Sequence, residues 1–176
     1  LQHKPDIICM SKGLTAGMMA MGLTACNARI AEAFMSAEPQ KTFFHGHSYT
    51  ANPLTCAAAL AGLNILLSEE CSNARRQIET AHKGFAHKTR THRNVNALRV
   101  LGTIIAIELN DGTGKSYFSN IRDMLYNFFL ERGILLRPLG NIIYILPPYI
   151  ITQAELSIIY SAIEEVLELL DSGEKE

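Results

Sequence analysis

The sequence predicts an α/β chain built in two parts, on three observations. An apolar run at residues 7–10, behind Pro5-Asp6, has the length and composition of a buried strand. The helix that starts at Asn52-Pro53 is apolar on nearly every face and so expects deep burial. Past Glu69-Glu70 the pattern changes to amphipathic helices and short strands, as in a small α+β domain. The expected division is 1–69 for the end of a large domain and 70–176 for a small C-terminal α+β domain.

Taken in order, the strand at 7–10 runs into a stretch at 11–21 rich in glycine and small residues, where backbone can come close to a ligand or another chain. Residues 28–35 read as a short helix, followed by a polar loop around Glu38-Pro39-Gln40. Asn52 as N-cap and Pro53 at the first helical position open a helix to about Ser68. A second helix, 73–88, carries Ala74, Ile78, Ala81 and Phe85 on one stripe and charges elsewhere. Residues 100–109 read as one strand, closed by the turn Asn110-Asp111-Gly112. Ile121, Leu125 and Phe128 mark a helix that stops at Gly133, a residue suited to the left-handed position after a C-cap. Short strands are expected at 134–136 and 142–146 around a Pro-Leu-Gly turn. Thr152 with Glu155 forms a capping box that opens a last helix bearing Leu156, Ile159, Ile163, Leu167 and Leu170.

The 176 residues are 48% hydrophobic, enough to bury a sizeable core, and carry a net charge of −1. A chain so balanced presents no broad field for nucleic acid or a membrane surface. Its one basic cluster, Lys88, Arg90, His92 and Arg93, reads as a solvated helix end. The four cysteines, Cys9, Cys26, Cys56 and Cys71, form no C-x-x-C pair and read as reduced, buried thiols of a cytoplasmic protein. No apolar run is long enough to span a bilayer and no signal-peptide pattern opens the chain. It begins Leu1-Gln2-His3-Lys4 without an initiator methionine and reaches a strand almost at once, so a piece of a longer protein is expected.

Three stretches could carry chemistry. Lys12 follows the first strand and precedes a glycine-rich loop. A lysine placed there can point into a crevice, where partial desolvation favours the neutral amine that attacks a carbonyl, or it is an ordinary loop lysine. The stretch Phe43-Phe44-His45-Gly46-His47-Ser48-Tyr49-Thr50-Ala51-Asn52-Pro53 holds two histidines two apart, but no further ligands at sensible spacing complete a metal site. A small hydroxyl-bearing loop before a helix suits a phosphate better, through backbone N–H groups and the Ser48 or Thr50 hydroxyl; otherwise it only caps and packs. In the third stretch Arg137 stands in a very apolar neighbourhood. It needs either a distant acid or the carboxylate of a substrate held bidentately. Gly114-Lys115-Ser116 imitates the end of a P-loop, but Leu109 stands where that motif needs glycine.

Together these stretches resemble a known family. Pro5-Asp6-Ile7-Ile8-Cys9-Met10-Ser11-Lys12-Gly13-Leu14-Thr15 is similar to the cofactor-lysine segment of class III (ω) aminotransferases. His45-Gly46-His47-Ser48-Tyr49 with Asn52-Pro53 resembles their phosphate loop. Arg137-Pro138 through Tyr144, with Pro147-Pro148-Tyr149, is most similar to the branch that passes an amino group from S-adenosylmethionine to 8-amino-7-oxononanoate in biotin biosynthesis, rather than to the ornithine, acetylornithine or γ-aminobutyrate branches. The resemblance covers essentially the whole chain. It implies the C-terminal part of the fold-type I architecture of enzymes dependent on pyridoxal 5'-phosphate (PLP). Lys12 would hold PLP covalently and shuttle a proton. His47, through its backbone, and Ser48 would reach the phosphate in the neighbouring subunit of a homodimer. Gly46 would line the substrate pocket, Arg137 would bind the substrate carboxylate, and Tyr144 would lie near it. The family's aspartate for the pyridine nitrogen, its Gly-Ser phosphate contacts and its stacking aromatic all fall upstream of the lysine, outside this chain. The piece alone is therefore expected to be inert and to hold PLP weakly or not at all. A non-catalytic dimerisation module is the rival of a different class.

Overall fold

The computed structural model describes residues 3–110 and 121–172. The chain divides into two compact units, Leu1–Ser68 and Glu69–Glu176. Asp111 and Gly112 of the expected turn, and the P-loop imitation Gly114-Lys115-Ser116, lie outside the described residues.

In the first unit, β1 (Ile7–Ser11) pairs antiparallel with β2 (Gly22–Cys26), from Ile7 opposite Cys26 to Ser11 opposite Gly22. The open end of this hairpin is stapled. The Asn27 amide donates to Asp6 Oδ1, the Arg29 guanidinium reaches the same oxygen at 3.3 Å, and Asn27 N–H donates to the Asp6 carbonyl at 3.0 Å. Asn27 also caps the short α1 (Ala28–Ala31) by accepting from Ile30 N–H, and the chain tightens into a 3₁₀ turn, Glu32–Phe34. Asn52 caps α2 (Pro53–Leu67) by accepting from Leu54 N–H at 2.9 Å, with Pro53 in the first turn as its locked φ allows.

Two expectations about burial fail in this unit. Every residue of β1 is exposed, and no residue of α2 is buried. Apolar composition sets which residues seek cover, but cover needs a partner surface. Within this unit α2 finds one along a single line, where Gly62 lies against Ala16. The expected burial of the cysteines fails for the same reason: Cys9 and Cys26 are exposed, Cys56 is half-buried and only Cys71 is buried.

The second unit is a three-stranded antiparallel sheet, β3 (Val95–Leu101), β4 (Ile104–Leu109) and β5 (Ile142–Ile145) side by side in that order, with helices packed against it. Helix α3 (Glu69–Thr89) starts four residues before the expected 73 and buries Ile78, His82, Phe85 and Ala86 along its stripe. The single strand expected at 100–109 is in fact a hairpin, β3 (Val95–Leu101) and β4 (Ile104–Leu109). Leu101 opposes Ile104, and Gly102 takes a φ of +55° at the first position of the two-residue loop, which a side chain would resist. Helix α4 (Ile121–Glu131) ends before Gly133, whose φ is +71°. The strand expected at 134–136 does not form, because Ile134 N–H closes the helix end onto the Phe129 carbonyl and Leu136 N–H turns back to the Ile134 carbonyl. β5 (Ile142–Ile145) pairs with β4, and Leu139 bridges to Ile142 across Gly140 (φ +60°). The capping box is present: Thr152 N–H donates to Glu155 Oε2 at 2.7 Å and Glu155 N–H donates to Thr152 Oγ1 at 3.2 Å, opening α5 (Gln153–Ser172). Ile105, Ile107 and Leu109 of β4 meet Leu125 and Phe129 of α4, and Ile163 and Val166 of α5, in one core.

No single described helix is long and apolar enough to cross a membrane. The basic cluster after α3 is partly tied down, since Arg93 Nε donates to Asp171 at 2.5 Å and His92 Nε2 lies 3.7 Å from the same carboxylate.

Candidate functional site

Lys12 sits where β1 breaks. Ser11 is still extended, and Lys12 then turns to a φ of +54°, a left-handed conformation uncommon outside glycine. Such a residue persists only where its surroundings over-determine it, and here they are visible. Residues Lys12–Thr15 form a 3₁₀ turn closed by Ala16 N–H donating to Gly13 O at 3.1 Å. The Thr15 side chain is fully buried; its hydroxyl donates to the Met19 carbonyl and accepts from Met19 N–H at 3.2 Å. Gly62 of α2 closes the other side, since a Cβ there would stand 3.3 Å from Ala16 Cβ and 3.5 Å from Ala16 N. The strand end, the Thr15 lock and the missing Cβ at Gly62 together fix the turn that displays the lysine.

The Lys12 side chain itself is exposed, so the crevice expected around it is not built by these residues. Its ammonium makes no hydrogen bond or ion pair among the described residues, which leaves the amine available to a carbonyl compound.

The loop before α2 is held by His47. Its N–H donates to Thr50 Oγ1 at 2.9 Å, its carbonyl accepts from Thr50 N–H at 2.9 Å, and its Nδ1 accepts from Tyr49 N–H at 3.1 Å. The rings of Phe43, His45, His47 and Tyr49 follow one another at 5.7, 6.5 and 6.3 Å between neighbouring centroids. The backbone donor expected of His47 is thus already engaged inside the loop. Ser48 is different: exposed, with no hydrogen bond from its hydroxyl among the described residues. Gly46 is exposed in the same loop, and a Cβ there would meet only Thr50 Oγ1, at 3.9 Å. An amine and a hydroxyl without partners among the described residues can serve an aldehyde and a phosphate, so nothing engages Lys12 or Ser48 against PLP, whereas the His47 N–H is open to it only if Thr50 lets go. Among the described residues no group of three His, Cys, Asp or Glu side chains could hold a metal ion.

Arg137 and Tyr144 belong to the second unit. The apolar setting read for Arg137 holds for its neighbour Pro138, which is buried, but the arginine itself is exposed and no acid among the described residues pairs with it. Of the two partners open to it, the distant acid is therefore absent there. Tyr144 is half-buried on β5, opposite Ala106.

Among the buried polar residues that the sequence did not single out are His82 and Asn141. His82 is fully buried, with Nε2 3.1 Å from the Thr103 carbonyl and Nδ1 2.7 Å from Tyr160 Oη. A carbonyl only accepts, so Nε2 carries the hydrogen and Nδ1 accepts from the tyrosine. Its signal was position: His82 lies four residues after Ile78 on the buried stripe. Asn141, 5% exposed, donates through Nδ2 to the Leu109 carbonyl at 2.8 Å; an asparagine after glycine reads only as a turn residue.

Residues 1–167 match the family Aminotransferase class-III. The chain is 43% identical over 165 residues to an adenosylmethionine-8-amino-7-oxononanoate aminotransferase of Synechococcus elongatus, covering 94% of this chain and 38% of that protein. It is 35% identical to the protein of the same name from Geobacter sulfurreducens, again over 38% of its length. This chain thus spans about two fifths of the curated relatives it matches. Among solved structures, the Methanocaldococcus jannaschii protein of that name superposes with a TM-score of 0.76 at 34% identity, covering 92% of this chain and 39% of that one. An ω-aminotransferase from Paracoccus denitrificans superposes with a TM-score of 0.82 at 26% identity, covering 98% and 39%.

Proposed function

We propose a function from one premise, that this chain belongs to the class-III aminotransferase family. The protein that carries it is a PLP-dependent transaminase of biotin biosynthesis, passing an amino group from S-adenosylmethionine to 8-amino-7-oxononanoate to give 7,8-diaminononanoate. The observation that carries this reading is the 43% identity to the Synechococcus elongatus protein across 94% of the chain. Residues 1–69 contribute the end of the large cofactor domain and 70–176 the small C-terminal domain of a cytoplasmic homodimer.

Bound PLP supplies the electron sink that amino-group transfer requires and that side chains lack. Lys12 would hold its aldehyde, while Ser48 would reach the phosphate of the PLP in the neighbouring subunit, with His47 joining through its N–H once Thr50 Oγ1 gives way. Lys12 Nζ moves a proton to and from the substrate carbon that bears the amino group. The left-handed backbone at Lys12 sets the direction in which its side chain leaves the turn. Arg137 binds the carboxylate of the acceptor as a fork of two N–H donors, beside Tyr144, and Gly46 leaves room for the substrate chain. Exposure and the lack of an acid partner among the described residues suit Arg137 to a ligand that comes and goes.

The full-length protein is assayed for 7,8-diaminononanoate, with ornithine and γ-aminobutyrate as competing amino donors. Formation of the diamine from S-adenosylmethionine is expected; turnover with ornithine or γ-aminobutyrate alone would move the protein to another branch of the class. The 176-residue chain by itself is expected to show no turnover and no stoichiometric adduct at Lys12 after PLP and borohydride, read by intact mass.

A further inference from the structure

We propose that Asn141 is a positioning residue for Arg137, setting where the carboxylate-binding cation stands; this rests on the carboxylate role given to Arg137 above. Arg137 to Asn141 is the last part of the connection between α4 and β5; it has little regular structure of its own, and its fixed points are few. Pro138 is buried, and a proline holds the residue before it, Arg137, in extended backbone. Leu139 and Ile142 exchange two backbone hydrogen bonds, at 2.9 and 3.0 Å, around Gly140 (φ +60°).

Asn141 makes the remaining attachment, and makes it twice. Its carbonyl accepts from Leu109 N–H at 2.8 Å, and its side-chain Nδ2 donates to the Leu109 carbonyl at 2.8 Å. One residue therefore satisfies both backbone groups of the last residue of β4, its side-chain amide standing where a strand would offer a main-chain N–H. Leu109 is fully buried and Asn141 is 5% exposed, so water is poorly placed to replace that donor. β4 is the central strand and carries three residues of the core, so the loop is tied to the middle of the sheet. Without the Asn141 amide the Leu109 carbonyl loses its donor, the loop swings on Gly140 and the bridge, and Arg137 moves with it. A shift of about 1 Å in a binding group costs up to about a hundredfold in rate or affinity.

The test uses the full-length enzyme. Asn141→Ala, Asn141→Ser, Arg137→Ala and the Arg137→Ala/Asn141→Ala double variant are compared on 8-amino-7-oxononanoate and on its methyl ester, which lacks the carboxylate. Asn141→Ala is expected to raise KM for the acid about tenfold with kcat within about twofold, and to leave KM for the ester and for the amino donor unchanged. Serine, a shorter donor, falls between. The double variant matches Arg137→Ala alone, because the two residues act as one. Equal penalties on acid and ester, wild-type KM in both Asn141 variants, additive losses in the double variant, or failure of both Asn141 variants to fold would each overturn the proposal. An unchanged KM for the acid in Arg137→Ala would instead remove the carboxylate role itself, whatever Asn141 does.

Discussion

The two units of this chain are both rich in apolar residues and use them in opposite ways. In Glu69–Glu176 they meet one another: Ile105, Leu109, Leu125, Phe129 and Ile163 are fully buried in a core shared by sheet and helices. In Leu1–Ser68 the one buried residue among those described is polar, Thr15, while Phe44, Leu54, Leu60, Ile65 and Leu67 are each more than 60% exposed. The difference teaches where each unit's stability comes from. The second holds itself through internal burial. The first is shaped by caps, a hairpin and backbone locks, and its apolar surface is left for other residues to cover.

Cutting the chain after Ser68 should break the comparison open. Glu69–Glu176 alone is expected to unfold in one cooperative transition in urea and to retain protected amides in β4. Leu1–Ser68 alone is expected to show no cooperative transition and to bind a hydrophobic dye, since a piece of about 70 residues without a core rarely folds unaided. A sharp transition in the first piece would show that its hairpin and helix suffice.

A paired truncation in the 176-residue chain probes the same contrast by degree. Phe129→Ala, at a fully buried position, should cost about 3–5 kcal/mol in chemical denaturation, from lost transfer energy and the cavity left behind. Leu63→Ala, at a position 46% exposed, should cost less than about 1 kcal/mol. Repeating Leu63→Ala in the full-length protein sharpens the comparison: if α2 is covered there, its cost rises toward about 2–5 kcal/mol.

The same contrast explains what was legible in the sequence. In the second unit the periodic stripes of α3, α4 and α5 were readable because the surface that buries each is in the chain itself. The capping box was readable because its two partners are three residues apart. What failed there was local: one glycine, Gly102, folds a mostly apolar run into a hairpin, and the carbonyls that end α4 absorb a predicted strand. In the first unit β1 and α2 were placed well, β2 was missed, and the burial of β1 and α2 was misjudged, because hydrophobicity reports a demand and says nothing of who meets it. Lys12, Ser48 and Arg137 carried little signal by spacing and became readable through family resemblance. The φ of +54° at Lys12 depends on Thr15 and Gly62, contacts that no linear pattern shows.

A smaller test lies at the start of α5. Thr152→Ala removes the oxygen that accepts from Glu155 N–H and the hydroxyl that donates to Glu155 Oε2 at 2.8 Å. A loss of about 1 kcal/mol is expected in the second unit, by thermal or urea unfolding of Glu69–Glu176. An equal cost for Asn52→Ala at the cap of α2, measured in the same 176-residue chain by the same transition, would show that the first unit shares in the cooperative fold; no effect on that transition is expected.

The smallest effect is absent at neutral pH and emerges only in mild acid. Burial holds the His82 imidazole below its ordinary value of 6.5, although its hydrogen bond to the Thr103 carbonyl pulls the other way. Tyr160, pushed up to about 12 by its own burial, keeps its proton throughout and goes on donating to Nδ1. A protonated His82 would have to give up that acceptor nitrogen inside the core. The unfolded chain takes up the proton at higher pH than the folded one, so stability rises with pH between the two values. It should be complete above about 6.5, decline as the pH falls toward the lowered folded value, and level off below it. His82→Gln, measured by urea unfolding of Glu69–Glu176 between pH 5 and 8, should lose this slope while the remaining histidines contribute equally to both proteins. A slope of the same size in the variant would mean that the proton is taken up elsewhere, and that the buried His82–Tyr160 pair is held without any penalty on its charged form.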